Sequence, residues 1–310
     1  MSDLLNPLSP RNPSQQIHQD GTKTNPEQIK KQENDEKIYA EGYENVMLPS
    51  KGLFYKGDAH HIEHISIRPF DYTDEDILST PSFYENGTIY TEILNNTIIS
   101  KAFLKAKDLV PIDRDTLLIW LRSTSFGNTF KVSYECPNCH CGSGEGIKGN
   151  GGEMIWELGE LKVPQYDQET FDKLFEEGEI SIYTPAKNVH VKLTVPTIGS
   201  QQSLDKKFSL KKDKEKIKKD FFASITLLSV VAGVENDEGK IERDKNRIDQ
   251  YFKKVRLPIT DSRYILEQAR KLNLRYDTKQ TFVCKDCGHI EEGVEMPIMH
   301  RNFFWPESGE

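Results

Sequence analysis

The stretch from Tyr134 to Gly142 reads YECPNCHCG and holds three of the chain's five cysteines. The other two lie far along the chain, in the stretch FVCKDCGHIEEG that begins at Phe282. The result is two C-x-x-C pairs, which together supply the four soft thiolates of a tetrahedral zinc site. The sequence therefore predicts one structural zinc ion, held by Cys136, Cys139, Cys284 and Cys287.

Each cysteine pair follows a β-rich stretch, FKVSY before the first and TFVC at the second. Turn-forming residues such as Pro137 and Gly288 suit the tight knuckles that these pairs form around a metal ion. This order is typical of zinc ribbons, in which knuckles close the ends of β hairpins. We therefore expect an α+β fold in which zinc-ribbon-like hairpins join segments that are distant in sequence, with N-terminal helices and an inserted, mainly helical block.

Three further residues stand close enough to the pairs to act as ligands: His140, Cys141 and His289. We expect each to pack beside the site or to donate to a carbonyl, but the spacing leaves a substitution open. A disulfide between the pairs is disfavoured in a reducing cytosol. A redox-active pair would be expected to open a helix, whereas these pairs follow strand-like segments.

A catalytic zinc site is the competing interpretation of the same cysteines. His61 and Glu63 form an H-x-E which, with a later C-x-x-C, resembles the signature of the zinc deaminases. Glu135 stands where that signature has proline, and the second cysteine pair would have no role. The chain also shows no Ser-His-Asp arrangement, no nucleotide-binding loop and no recognisable acid pair. We therefore expect a protein that is not an enzyme.

Composition and charge narrow the class of partner. The 310 residues carry a formal net charge of -8, which opposes nonspecific binding to phosphate backbones. Lysines between 206 and 219 are interleaved with acids, as on a solvated helix face. The chain shows no apolar run of about eighteen residues and no signal-like start, so we expect no membrane partner and a cytoplasmic protein. A zinc ribbon that binds nucleic acid or acts in transcription is the alternative, although GHIEEGVE at the second knuckle is acidic.

Composition divides the chain into five segments. Residues 1–44 are polar and too poor in apolar side chains to offset the entropy of ordering, so we expect a tail that is disordered or bound to a partner. An N-terminal α+β domain is predicted for 45–135, followed by a first knuckle with a small antiparallel sheet at 136–196. The helical insertion is predicted for 197–275, and the second knuckle with a C-terminal strand for 276–310.

Local signals place individual elements within these segments. Thr73 is predicted to cap a helix in TDEDILS, and Asp113 to cap the apolar helix RDTLLIWLRSTSF. Three alternating segments between 154 and 196 are predicted to extend the hairpin above the zinc. The run that ends in LLSVVAGV is predicted to be helical. The glycine-rich stretch 142–152 lacks the phosphate-loop pattern and is predicted to be a hairpin tip.

Several phrases occur in one order along the chain: LPSKGLFY at 48–55, ISIRPFDYTDEDIL at 65–78, the helix start Asn86–Gly87, and DRDTLLIWLRSTSFGNTFKVSYECPNC at 113–139. Together they resemble the baseplate hub and hub-assembly proteins of T-even-type contractile-tailed bacteriophages, with weaker support from FVCKDCGH and the closing FFWP. The resemblance covers residues 46–140. It implies a noncatalytic protein of the tail baseplate, acting in hub formation as a structural subunit or as an assembly factor.

The resemblance also implies partners and a location. It implies contacts with other phage baseplate and tail proteins, and assembly in the host cytoplasm into the baseplate of the virion tail. It provides no catalytic residues, and the polar N-terminus and the helical insertion depart from the shorter members of the family. The candidate contact surfaces are the tail, the turn LPSKGLFY and the closing FFWP, although the turn and the aromatic side chains are equally expected to pack on the protein's own core.

Overall fold

Short β-branched segments and longer amphipathic segments succeed one another along the chain, and this order sets its secondary structure. The computed structural model describes residues 42–99, 104–142, 152–215, 222–298 and 303–304. Their α-helices are α1 (Asp74–Ser79), α2 (Pro81–Glu85), α3 (Ile89–Thr97), α4 (Pro111–Phe126), α5 (Gln168–Glu177), α6 (Ile198–Glu215), α7 (Phe222–Val230), α8 (Lys245–Lys254) and α9 (Ile259–Leu272). Their strands are β1 (Glu44–Met47), β2 (His64–Ile67), β3 (Thr129–Tyr134), β4 (Gly152–Glu157), β5 (Ile180–Tyr183), β6 (His190–Leu193), β7 (Val231–Glu235), β8 (Ile241–Glu242), β9 (Gln280–Val283) and β10 (Ile290–Val294). The sheets are small and antiparallel, so the predicted α+β class is confirmed.

The turn LPSKGLFY follows β1, which pairs antiparallel with β2. Leu48 and Leu53 in this turn are fully buried. Gly52 has a positive φ of 70°, and a Cβ atom there would lie 2.4 Å from the backbone nitrogen of Ile62, so only glycine fits. The turn therefore packs largely on the protein's own core and does not form the open contact surface that it was a candidate for.

Asp113 does not cap α4, contrary to the prediction. The helix begins at Pro111, whose missing N–H suits the first helical position, and Asp113 lies inside the first turn with no exposed surface. Its carboxylate accepts hydrogen bonds from the Ser50 backbone N–H at 3.0 Å, from the Ser50 hydroxyl, and from the Tyr55 hydroxyl at 2.6 Å. Burial raises the pKa of Asp113, and these hydrogen bonds oppose the increase. The residue therefore connects α4 to the LPSKGLFY turn.

Thr73 likewise makes no side-chain capping bond to α1. The acid beside it, Asp74, is buried and accepts two hydrogen bonds from the Arg68 guanidinium, at 2.6 and 3.0 Å. Thr73 instead donates its backbone N–H to Asp71 at 2.8 Å. Thr73 therefore stands at the predicted N-cap position of α1 but makes no capping bond, because its hydroxyl also donates to Asp71, at 2.5 Å.

The three alternating segments between 154 and 196 do not form one sheet, which corrects the prediction. Only β4 pairs with β3, whereas β5 and β6 belong to a four-stranded sheet of order β5-β6-β7-β8. The run LLSVVAGV also departs from prediction, since α7 ends at Val230 and β7 begins at Val231. Val231 and Val234 are fully buried, as the β-branched residues of a central strand often are. The mainly helical segment 197–275 thus adds two strands to its neighbour.

The closing aromatic residues belong to the core. Phe303 and Phe304 are buried, with their ring centroids 4.9 Å apart, and Phe303 lies 5.0 Å from Phe130. The ring centroid of Phe304 lies 5.5 Å from that of Phe70, which follows β2. These rings therefore stabilise the protein's own fold and are not free to enter a partner's groove.

Several predictions concern residues outside the described ranges: the tail up to residue 41, the glycine-rich stretch 143–151, Trp305 and Pro306. The backbone of the lysine-rich helix is described to Glu215, but its side chains are described only to Phe208, so the solvated face stays a prediction. The boundaries of the five predicted segments also stay predictions. Within the ranges that the structure describes, no helix is both long and apolar enough to cross a lipid bilayer.

Candidate metal centre

Two β hairpins carry the cysteine pairs and pack against each other. The first is formed by β3 and β4, the second by β9 and β10. The rings of Tyr134 and Phe282 lie 4.6 Å apart, and a Cβ atom at Gly152 would lie 2.6 Å from the Phe282 ring. Trp156 donates its indole N–H to the carbonyl of Thr278 at 2.7 Å. These contacts bring the ends of the two hairpins together, although one lies in the first half of the chain and the other near its end.

The two knuckles have the same backbone hydrogen bonds. In the first, the N–H of Cys136 donates to the carbonyl of Cys141 at 2.9 Å, and the N–H of His140 donates to the carbonyl of Cys136 at 2.9 Å. In the second, the N–H of Cys284 donates to the carbonyl of His289 at 2.8 Å, and the N–H of Gly288 donates to the carbonyl of Cys284 at 3.0 Å. The residue that follows the second cysteine of each pair has a positive φ, which is 53° at His140 in the first knuckle and 71° at Gly288 in the second.

This repeat assigns equivalent roles to the four predicted ligands. Cys136 corresponds to Cys284, and both are buried. Cys139 corresponds to Cys287, and both are exposed. The sulfurs of Cys136 and Cys287 lie 3.7 Å apart, as do those of Cys139 and Cys284. Four sulfurs at 2.3 Å from one zinc ion would be separated by about 3.8 Å, so both distances fit the edges of a tetrahedral site.

A fifth sulfur joins this cluster. Cys141 is buried, and its Sγ lies 2.7 Å from that of Cys139 and 3.4 Å from that of Cys284. The ligand atoms of Cys136, Cys139, Cys141 and Cys284 all lie within 4.8 Å of one another. This group contains three of the four predicted ligands, with Cys141 in place of Cys287. The sequence leaves open whether Cys141 replaces one of the four predicted ligands. Its place in the cluster follows from the knuckle, which turns residue 141 back toward the sulfurs.

The histidines near the pairs lie outside this group. The ring of His140 is 3.2 Å from the carboxylate of Glu135 and is mostly exposed to solvent. His289 accepts the backbone hydrogen bond of the second knuckle through its carbonyl. His61, the ligand required by the deaminase interpretation, stacks on Phe175 with ring centroids 4.3 Å apart. Among the described residues, the group that can hold a metal contains cysteines alone.

The electrostatics of the cluster differ from one thiol to the next. Hydrogen bonds, first from the backbone N–H of Cys287, lower the pKa of Cys284 to about 6. The side-chain amide of Asn138, 3.5 Å from the Cys287 sulfur, lowers the pKa of that thiol. Burial raises the pKa of Cys136 to about 11. Hydrogen bonding to Cys139, followed by burial, raises the pKa of Cys141. A metal ion would displace these protons, so binding is expected to depend on pH.

The thiolates fit a thiophilic ion such as zinc, because sulfur ligands from two knuckles can surround it completely. A site closed by four thiolates has no open coordination position for a substrate or a reactive water. The cysteine cluster could therefore hold a metal ion between the two hairpins.

The sequence of this chain was compared with protein-family models, curated proteins and solved structures. No curated protein and no solved structure matches the chain. The family model described as T4 bacteriophage base plate protein matches residues 42–245, which is more than half of the chain. The match includes the N-terminal helices, the first knuckle and the four-stranded sheet, and ends before the second knuckle. The chain belongs to the family of T4-type bacteriophage base plate proteins.

Proposed function

We propose that this protein is a noncatalytic structural or assembly component of the hub region of a contractile-tail baseplate, stabilised by one zinc ion. Family membership supports the baseplate assignment. The observation that carries the structural role is the convergence of sulfurs from distant parts of the chain: Cys136 and Cys287 are 151 positions apart in sequence and 3.7 Å apart in space.

The proposed zinc site has the form of a zinc ribbon. Each hairpin presents one knuckle, and each knuckle presents one buried and one exposed cysteine. Cys136, Cys139, Cys284 and Cys287 would hold the ion. When bound, the ion would neutralise the thiolates and hold β3 and β9 together at their cysteine ends.

The helices of the insertion offer a surface for another baseplate protein. Phe222, at the start of α7, is 77% exposed, and Ile259, at the start of α9, is 71% exposed. Between α7, α8 and α9 lies a groove of about 630 Å³, bordered by Arg256 and Arg263 and by Lys253, which already pairs with Asp249 in the same groove. Arg256 and Arg263 form no ion pair with another described residue. We propose that the partner is an amphipathic segment with apolar side chains for the groove and acidic side chains for its basic border.

Purified tails test the baseplate role most directly. We expect mass spectrometry of intact tails to detect the protein in a fixed ratio to other baseplate proteins if it is a subunit. Presence only in assembly intermediates from the host cytoplasm would indicate an assembly factor instead. Absence from both tails and assembly intermediates would refute the proposal.

Metal content tests the clasp separately. The purified chain is expected to contain one zinc ion, to lose it to a chelator, and to lose the paired hairpins with it. A bound metal with an exchangeable water would favour catalysis, because a closed thiolate site has none. A salt-dependent mobility shift of DNA or RNA would favour the nucleic-acid alternative, but the acids Glu291 and Glu292 in β10 oppose it.

A further inference from the structure

We propose that Cys141 is a reserve ligand of the metal centre, which takes the coordination position of Cys139 when Cys139 is unavailable. This inference rests on the proposed zinc site and adds a fifth cysteine to its four ligands. In the resting site the ion binds Cys139, and Cys141 lies beside it with its sulfur in reserve.

The distances assign the two sulfurs to one coordination position. Ligand sulfurs of a tetrahedral zinc ion are about 3.8 Å apart, whereas the sulfurs of Cys139 and Cys141 are 2.7 Å apart. They are therefore too close for both to bind the same tetrahedral ion without moving apart. Both are also near the sulfur of Cys284, at 3.7 Å from Cys139 and 3.4 Å from Cys141. Each can thus serve as the neighbour of Cys284 in the site.

The backbone shows why Cys139 holds the position first. The two knuckles have matching hydrogen bonds, and Cys139 stands where Cys287 stands in the second knuckle. Cys141 corresponds to His289, whose backbone carbonyl closes that knuckle. The second knuckle therefore has no reserve sulfur, and the reserve belongs to the first knuckle alone.

The two thiols differ in their exposure to solvent. Cys139 is exposed, and an exposed thiol is accessible to oxidants and alkylating reagents. Cys141 is only 2% exposed and stays protected from them. If Cys139 is modified, a small movement of Cys141 completes the site, and the two hairpins stay joined.

Cobalt titration of the full-length chain tests this assignment, with Co²⁺ as the probe and the thiolate-to-cobalt charge-transfer absorbance as the readout. We compare C139S, C141S and the double variant C139S/C141S with the wild type. Both single variants are expected to keep the charge-transfer intensity of four thiolates. The double variant is expected to keep about three quarters of it. Zinc competition should show single variants within about tenfold of wild type and the double variant weaker by at least about a hundredfold.

The matched control is C287S, which removes the equivalent exposed cysteine from the knuckle that has no reserve. It is expected to lose charge-transfer intensity as the double variant does, because Cys139 and Cys141 share one coordination position. Full intensity in C287S would mean that Cys139 and Cys141 bind the ion together with Cys136 and Cys284, and would overturn the proposal. Equal losses in C139S and C139S/C141S would overturn the proposal. Failure of C139S to fold with zinc, while C141S folds, would overturn it too, because a reserve ligand should maintain the clasp.

The same titration distinguishes this inference from the metal site itself. If the wild type binds no Co²⁺ or Zn²⁺, the proposed zinc site is wrong. If the wild type and C141S bind one ion and C139S does not, the zinc site stands and only the reserve role of Cys141 is lost.

Discussion

Replacing Cys284 with serine should remove much of the stability of the paired hairpins. The proposed ion would join Cys139 to Cys284, which are 145 positions apart in sequence. Treated as a cross-link of that length, the clasp restricts the unfolded chain by about 5 kcal/mol at 25 °C. We therefore expect C284S to lower the free energy of unfolding by about 5 kcal/mol relative to the zinc-bound wild type.

Urea unfolding followed by circular dichroism measures this change. With a slope of about 3 kcal/mol per molar urea, the expected loss shifts the midpoint by about 1.5 to 2 M. A chelator should destabilise the wild type by a similar amount and should have little further effect on C284S. C141S is the matched control, since it removes a buried sulfur of the same cluster and leaves four ligands in place.

Two results would refute the reasoning. One is a C284S midpoint equal to that of the wild type in the presence of zinc. The other is a wild-type midpoint that does not respond to chelation. Either would mean that the hairpins are held by side-chain packing alone and that the cysteines contribute no metal cross-link.

Four further predictions concern other parts of the fold. Asp113→Ala should lower the free energy of unfolding by about 3 kcal/mol, because it leaves a buried N–H and two hydroxyls without their acceptor. Lys245 has its pKa lowered by burial to about 8, so the folded state binds fewer protons than the unfolded state between pH 8 and the ordinary lysine pKa of 10.5. Stability measured by urea unfolding should therefore rise over this window, by up to about 3 kcal/mol, and Lys245→Met should lack this rise. Gly52→Ala should lower the melting temperature by several degrees, because the added Cβ meets the backbone of Ile62 at 2.4 Å. Phe222→Asp should leave the melting temperature unchanged and reduce incorporation into tails, as measured by mass spectrometry of purified particles.

Each of these predictions has an opposing result, and two have a matched control variant. Asp108→Ala, an acid outside the buried network, is the control for Asp113, and equal losses in both variants would contradict the network. A pH profile shared by wild type and Lys245→Met would contradict the role of Lys245. Gly57→Ala is the control for Gly52, because it has a positive φ but open space around the added Cβ. Normal incorporation of Phe222→Asp into tails would exclude this surface as the contact with the baseplate.

The sequence by itself determined the parts of this protein that depend on local spacing. Two intervening residues are enough to bring both cysteines of a pair to one ion, so the four ligands Cys136, Cys139, Cys284 and Cys287 could be proposed without coordinates. The α+β class and several helices followed from periodicity and chain-breaking residues in the same way. The phrases around the first knuckle indicated the baseplate family, which the family match confirms.

Only the tertiary structure decided which distant groups meet. Spacing along the chain left open whether Cys141 joins the cluster; it does so because the first knuckle folds back and the second hairpin brings Cys284 to it. Asp113 is a strong cap by residue type, yet it is buried against a turn that begins more than sixty positions earlier. Val231 begins a strand in an apolar run because partner strands are available there, and a short apolar run has no periodicity that separates strand from helix. Contacts of this kind depend on packing between elements, which a single sequence does not display.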